Sequence, residues 1–301
     1  MYRLFLLRAY GDFVILLQAL LESPQKNKYS LIASKHLQPL YQELALVIDL
    51  SSIQIQFVNF GITNTQLSLF TNKHLLSLNT LNELTQIKNF VKQNPNTDGT
   101  DYIEQDKRIG LFNVITGLNF NSIISNEPVY TSYAKFFENP AIKKEISKEE
   151  GKSENIQDNK ESEILNNNKL NSKKVLLFPD TRQAKKNIPS SLINKLENEI
   201  TSKGYTLEIA YFKQLPDITT TNDKNASNNK VVYANFKTLI QLIIDAELIL
   251  GADSLPIHLA YLLKKPHYIL YPNGYPQLFM TPYAQINNRF GTFDHYNFSF
   301  L

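Results

Sequence analysis

The sequence predicts an α/β fold with two domains, each built on a parallel sheet, and three observations carry that reading. Short, fully apolar runs bounded by Pro or Gly recur in the second half, such as KKVLLFPD (173–180) and HYILYP (267–272). Runs of that kind read as strands buried on both faces. Amphipathic stretches of helix length lie between them, and strands alternating with helices indicate parallel βαβ packing. Third, the block AIKKEISKEEGKSENIQDNKESEILNNNKLNSK (141–173) is almost wholly Lys, Glu, Asn, Ser and Asp. It cannot bury enough apolar surface to offset chain entropy, so it divides the chain. The expected organisation is a first domain over 1–139, a charged linker over 140–173 and a second domain over 174–301.

In order, YRLFLLRAYGDFVILLQALLES (2–23) reads as strand, turn and helix. YSLIAS (29–34), KHLQPLYQELA (35–45) and LVIDLS (46–51) repeat strand, helix, strand. The pattern then loosens into the helix TLNELTQIKNFVKQ (80–93) and aromatic-rich pieces such as EPVYTSYAKFFENP (127–140). After the linker comes the strand 173–180. A helix over 188–204 follows, with Leu192, Ile193, Leu196 and Ile200 at helical spacing and Gly204 as its stop. YTLEIAYF (205–212) is a strand, and the polar insert 219–230 a surface loop. VVYA (231–234), FKTLIQLIIDA (236–246), ELILGAD (247–253), PIHLAYLLKK (256–265) and HYILYP alternate strand and helix to the last strand.

Composition narrows the function. A hydrophobic fraction of 43% is ample for two cores, and a net charge of +3 over 301 residues is small. A dedicated nucleic-acid binder would cluster Lys and Arg, so no nucleic-acid partner is expected. The chain has no Cys, which excludes disulfides, thiolate catalysis and zinc–sulfur sites. Its five His residues (36, 74, 258, 267 and 295) do not pair at ligand spacing, so no metal is expected. The basic, apolar start resembles a signal peptide, but Arg8 and Asp12 interrupt it. No run reaches the roughly 18 apolar residues of a membrane span. A cytoplasmic protein is the expectation.

Two strand ends carry polar residues where ligands of parallel sheets gather. In LLRAYGDFVILL, Gly11 allows a tight turn with unusual backbone angles. Asp12 stands at the helix start, either as a cap or facing the cleft between the domains as a general base. Arg8, at the strand end, would bind an anion or steer the carboxylate. In GADSLPIHLA, Asp253 and Ser254 either cap the helix or hold a ligand, and Pro256 suits its first turn. The helix start would attract phosphate, and His258 lies one turn in. An unrelated dinucleotide oxidoreductase fits poorly, because no G-x-G-x-x-G follows a strand.

LLRAYGDFVILLQAL resembles the N-terminal signature of family 9 glycosyltransferases, the heptosyltransferase group. LIIDAELILGADSLPIHLAYLLKKPHYILY resembles the same family's C-terminal signature of strand, Gly-x-Asp-Ser-Gly-x-x-His, apolar helix, Gly-Lys-Pro and strand. The resemblance implies a GT-B architecture, two Rossmann-like domains facing a central cleft. It implies an inverting, metal-independent transfer of a heptose-like sugar, from a nucleotide diphosphate donor (usually ADP-linked) to a lipopolysaccharide-type glycan. No cofactor beyond that co-substrate is implied. Asp12 matches the family's base. Arg8, Gly11, Asp253, Ser254 and His258 fall at the donor side, together with the loop FPDTRQAKKNIP and its Thr181, Arg182 and either Lys185 or Lys186. A cation in that loop would neutralise the leaving diphosphate. The acceptor would be a lipid-anchored glycan at the inner membrane face. Peripheral membrane contact would use lysines and exposed aromatics, with Tyr130, Tyr133, Phe136 and Phe137 as candidates, although the same aromatics read more simply as core.

The sequence also departs from the family. Leu255 replaces the Gly after Asp-Ser, YFKQLPDI lacks the Glu of the family's Gly-Pro-x-Glu turn, and YPNGYPQ keeps Pro276 but loses Thr and Asp. These changes raise a second reading, a catalytically degenerate relative that binds a nucleotide, a glycan or a protein.

Overall fold

The computed structural model describes residues 2–7, 9–62, 77–97, 99–104, 108–123, 127–137, 173–212 and 229–301. Arg8, nearly all of the expected linker and most of the 219–230 insert lie outside the described residues.

The first half holds β1 (Tyr2–Leu6), α1 (Tyr10–Glu22), β2 (Tyr29–Ser34), α2 (Gln38–Leu44) and β3 (Gln54–Val58). It continues with α3 (Leu78–Gln93), β4 (Asp101–Ile103), α4 (Ile109–Thr116), β5 (Asn121–Ser122) and α5 (Val129–Phe136). The second half holds β6 (Lys174–Phe178), α6 (Ser190–Ser202), β7 (Thr206–Phe212), β8 (Lys230–Tyr233), α7 (Phe236–Asp245) and β9 (Leu248–Ala252). It ends with α8 (Leu255–Leu262), β10 (His267–Tyr271), α9 (Pro282–Ile286) and β11 (Phe290–Thr292).

The strand orders are β3-β2-β1-β4-β5 and β11-β10-β9-β6-β7-β8, every pair parallel. In both sheets the order reverses beside the first strand of the half, which opens a crevice beyond the strand ends. Register aligns the second crevice. Phe178 pairs with Gly251, and Ala252 with Leu270, so the loops after β6, β9 and β10 emerge along one edge.

Two features join the halves. One apolar cluster runs from Leu4, Phe13 and Leu17 through Leu176, Ile249 and Leu259. Helix α1 packs on α8, and α2 on α7. This explains why α1 and α8 are apolar on nearly every side: α1 buries its residues from Asp12 to Leu20, and α8 lies between β9, α1 and α7. An all-round apolar helix is a buried helix.

Three expectations need correction. LVIDLS is not a strand; Leu46 is 77% exposed in a turn after α2, and the third strand is QIQFV at 54–58. That segment alternates apolar and polar side chains because it is an edge strand, paired on one side only. Gly11 forms no tight turn, since it lies inside α1 and is not among the positive-φ glycines. The aromatics offered for membrane contact are interior: Tyr130, Tyr133 and Phe137 are buried, and Phe136 packs against the core through Tyr29 and Tyr102. By contrast, the helix predicted over 188–204 forms as α6, burying the four named residues, and Gly204 ends it at φ 81°.

Candidate active site

Strand β9 ends at Ala252 and α8 begins at Leu255, which leaves Asp253 and Ser254 in the crease. Neither residue caps the helix. Ser254, the N-cap in extended conformation, donates its hydroxyl to the Ala252 carbonyl oxygen at 3.0 Å. Pro256 occupies the first turn, where its missing N–H costs nothing. The backbone donors left there are few, because Pro256 has no N–H and the Ile257 N–H donates to the Ser254 carbonyl oxygen at 3.1 Å.

Asp253 turns toward the second half's own interior. Its Oδ2 accepts from Lys186 Nζ at 2.7 Å, and its Oδ1 lies 3.5 Å from His258 Nε2. All three side chains are buried, at 5%, 8% and 3% exposure for Asp253, Lys186 and His258. Burial pushes the Asp253 carboxyl up, but the hydrogen bond from His258 and then the charge and hydrogen bond of Lys186 outweigh it and hold the group below the usual carboxylate range.

Lys186 reaches Asp253 because its loop is braced from within. Residues Ala184–Lys186 form a 3₁₀ turn, and the Ile188 N–H donates to the Pro179 carbonyl oxygen. Asn187 Oδ1 accepts from the Thr181 N–H at 2.8 Å, while the Thr181 hydroxyl donates to the Gln183 carbonyl oxygen at 2.7 Å. The turn sends Lys186 inward onto Asp253 and leaves Lys185 and Arg182 exposed. Lys186 Nζ also lies 5.0 Å from the Tyr275 ring centre and 5.7 Å from that of Phe279. Exposed Lys185 Nζ lies 5.3 Å from the Tyr275 ring centre.

The first half meets this cluster at Gly11. A Cβ built there would stand 3.3 Å from His258 Cδ2, so the glycine provides space where the two halves touch. Asp12 follows it in the first turn of α1, 7% exposed. On α5, the Tyr130 hydroxyl lies 3.0 Å from His258 Nδ1. At the end of β10, the Tyr271 hydroxyl is enclosed without a hydrogen-bond partner among the described residues, and burial pushes that phenol up, with the Asp253 charge adding to the effect.

The structure thus gathers Gly11, Lys186, Asp253 and His258. It turns Thr181 and Ser254 onto their own backbones and leaves Arg182 and Lys185 at the surface. Sequence reasoning missed Tyr271, Tyr275 and Phe279 as neighbours of the site and took Tyr130 for core or membrane contact; an aromatic residue in an apolar run gives no signal of this kind. Leu255, standing where the resembled motif has Gly, packs partly buried against the shared apolar cluster. A separate open depression of about 710 Å3 lies between α6 and the chain end, lined by Lys195, Glu199, Asp294 and His295 among others. It contains none of the gathered residues. No three His, Asp or Glu side chains among the described residues cluster as a metal-binding set would.

A family model described as glycosyltransferase family 9 (heptosyltransferase) matches residues 124–297, more than half of the chain. The protein belongs to this family. Solved structures of similar fold include E. coli heptosyltransferase WaaC with ADP-2-deoxy-2-fluoro heptose (13% identity, TM-score 0.54, covering 92% of this chain and 90% of that one). The family 9 glycosyltransferase of Veillonella parvula aligns at 11% identity and TM-score 0.57, over 97% and 84% of the two chains. E. coli ADP-heptose lps heptosyltransferase II aligns at 11% identity and TM-score 0.55, over 97% and 89%. A comparison with curated proteins finds no match. The family match covers the GADSLPIHLA junction and does not extend to the residues before 124. No helix among the described residues is long and apolar enough to cross a membrane.

Proposed function

We propose that the protein is an inverting glycosyltransferase that moves a heptose-like sugar from a nucleotide diphosphate donor, ADP-linked, to a lipopolysaccharide-type glycan. The observation carrying this reading is the buried Lys186–Asp253–His258 cluster at the start of α8, met by Gly11 at the start of α1. Asp12 takes the proton of an acceptor hydroxyl, whose oxygen attacks the anomeric carbon while the bond to the diphosphate breaks. Lys186 and the α8 N-terminus balance the charge of the departing diphosphate, and Asp253 and His258 hold the donor sugar. The reaction so described uses no metal. The acceptor is lipid-anchored at the inner membrane face, and contact with that surface is peripheral and does not use the α5 aromatics, which are interior.

One observation favours the second reading, a relative that binds without transferring. Lys186 is already spent on Asp253 beneath Tyr275 and Phe279, and Leu255 adds bulk at the helix start. A thermal-shift titration with ADP, UDP, GDP and CDP, on the wild type and on Asp253→Asn, distinguishes the two. A saturable rise for one nucleotide that the substitution weakens supports a donor site, and transfer lost in Asp12→Asn then supports the enzyme. Binding without transfer in the wild type supports the binder, and no shift at millimolar nucleotide removes the donor site altogether.

A further inference from the structure

Tyr130 lies 128 residues from His258 in sequence, on α5, which packs on α1. The α5 segment is held from both sides: Ser23 Oγ donates to the Phe137 carbonyl oxygen, and the Val129 N–H donates to the Leu278 carbonyl oxygen at 2.9 Å. The Tyr130 phenol is buried, and burial holds its pKa well above the ordinary value, with neighbouring negative charge adding to the effect. It is therefore a neutral O–H removed from water, and such a group needs an acceptor. Its only hydrogen-bond partner among the described residues is His258 Nδ1, at 3.0 Å.

A phenol can donate or accept, but this O–H has no acceptor other than Nδ1 among the described residues, and donation there makes Nδ1 the ring nitrogen without a proton. The proton of a neutral imidazole then sits on Nε2, the nitrogen that faces Asp253 Oδ1 at 3.5 Å. Packing alone does not choose this tautomer. Gly11 closes in on Cδ2, and the rings of Tyr130 and Phe279 flank the imidazole, but none of these contacts distinguishes one nitrogen from the other. The phenol does.

We propose that Tyr130 is a positioning residue: its hydroxyl fixes His258 as the Nε2–H tautomer and so orients Asp253 for the donor. The second clause rests on the reading of Asp253 as a donor-binding group. Hydrogen bonds of this kind behind a functional imidazole set both its tautomer and its ring orientation. Tyr130 comes from the segment before the charged linker and His258 from the second half, so the pair also ties donor-side geometry to the docking of the two halves.

The test is nitrogen-15 NMR of the full-length protein labelled at histidine, at mildly alkaline pH, with His258→Gln to assign the signal. The expected result is a wild-type His258 with its proton on Nε2 alone, and a mixture of tautomers in Tyr130→Phe. The His267 signal serves as the control for folding. A proton on Nδ1 in the wild type, in neutral or doubly protonated form, overturns the proposal even where the variant fails to fold, and so does an unchanged tautomer in a folded Tyr130→Phe. Affinity for ADP should fall about 3- to 10-fold in Tyr130→Phe, the worth of one hydrogen bond. Unchanged affinity beside a changed tautomer would overturn the link to the donor. Should the wild type bind none of ADP, UDP, GDP and CDP, the donor reading falls, and the tautomer comparison still decides whether Tyr130 positions His258.

Discussion

The two strand-to-helix junctions at the meeting of the halves are alike in outline and opposite in construction. Both follow a strand of a parallel sheet, both place an aspartate within the first residues of an apolar helix or just before it, and the two helices pack on each other. At the second junction the carboxylate is wired to donors of its own half, Lys186 from the loop after β6 and His258 from the helix itself. At the first, the helix interior is apolar but for Asp12 and Gln18, and the feature that matters to the other half is the missing side chain of Gly11. One junction organises charge, and the other provides access to it. Ligand binding and proton removal are separable tasks, and the proposed function gives the first to the charged junction and the second to Asp12.

The largest expected effect tests that division directly. Asp12→Asn should lower transfer by about 100- to 10,000-fold, the range for loss of a general base, while nucleotide affinity stays near wild type. Asp253→Asn should do the reverse in binding, weakening nucleotide affinity before any effect on the proton transfer is visible. Calorimetric titration with ADP beside a transfer assay separates the two. Equal loss of nucleotide binding in both variants would erase the contrast between the junctions.

Next in size is the stability of the charged junction. Removing one member of a buried pair leaves the other charge uncompensated, so Lys186→Met should cost about 3–5 kcal/mol in urea denaturation. Lys185→Met, at the exposed neighbouring position, should stay within about 0.5 kcal/mol. Replacing both partners, as Lys186→Met with Asp253→Leu, should cost less than the two single changes added together. An additive result would mean that the ion pair contributes nothing specific.

How far the sequence could show this differs between the halves for the same physical reason. Strands β6, β9 and β10 are buried on both faces, so each reads as an apolar run and the element order is legible from β6 to β10, whereas the short α9 and the three-residue β11 beyond the expected last strand are not. The first half hides β3 in an alternating edge segment, while β4 and β5, with three and two residues, are too short to have a period at all. At the site, the residue types of the signature are legible but not their partners. Capping was a sound reading of Asp253 and Ser254, since both are capping residues ahead of a helix. What defeats it is Lys186, 67 positions upstream, brought alongside by the pairing of β6 with β9. Choosing Lys186 over Lys185 depends on the phase of one 3₁₀ turn, which two adjacent identical residues cannot encode.

A histidine outside the site sharpens the contrast with His258. His267 opens β10, fully buried, donating from Nδ1 to the Lys265 carbonyl oxygen and accepting at Nε2 from the Thr281 hydroxyl. Burial lowers its pKa from 6.5 to about 4. Between those values the unfolded chain takes up a proton that the folded one refuses, so stability rises with pH across that window. The contribution is complete above about pH 6.5 and is lost as pH falls toward 4, up to about 3 kcal/mol in all. Denaturation at a series of pH values should show this slope in the wild type and a flatter one in His267→Gln. Retention of the full slope would assign it to other groups.

The smallest effect concerns the junction that provides space. In a helix, Gly→Ala ordinarily gains up to about 1 kcal/mol. Gly110 lies in α4 with nothing within 4 Å of a built Cβ, so Gly110→Ala should stabilise by about that amount. Gly11→Ala meets His258 Cδ2 at 3.3 Å, and the ring cannot retreat without disturbing its contacts with Tyr130 and Asp253. Overpacking at a site so held costs about 1–3 kcal/mol, which outweighs the helix gain. Gly11→Ala should therefore be destabilising by about 1 kcal/mol, opposite in sign to Gly110→Ala in the same denaturation experiment. If His258 is the neighbour that resists, the penalty should shrink in a His258→Ala background, where the new methyl group meets open space. A penalty unchanged in that background would place the strain elsewhere in α1, and the first junction would no longer be defined by the room it leaves for the second.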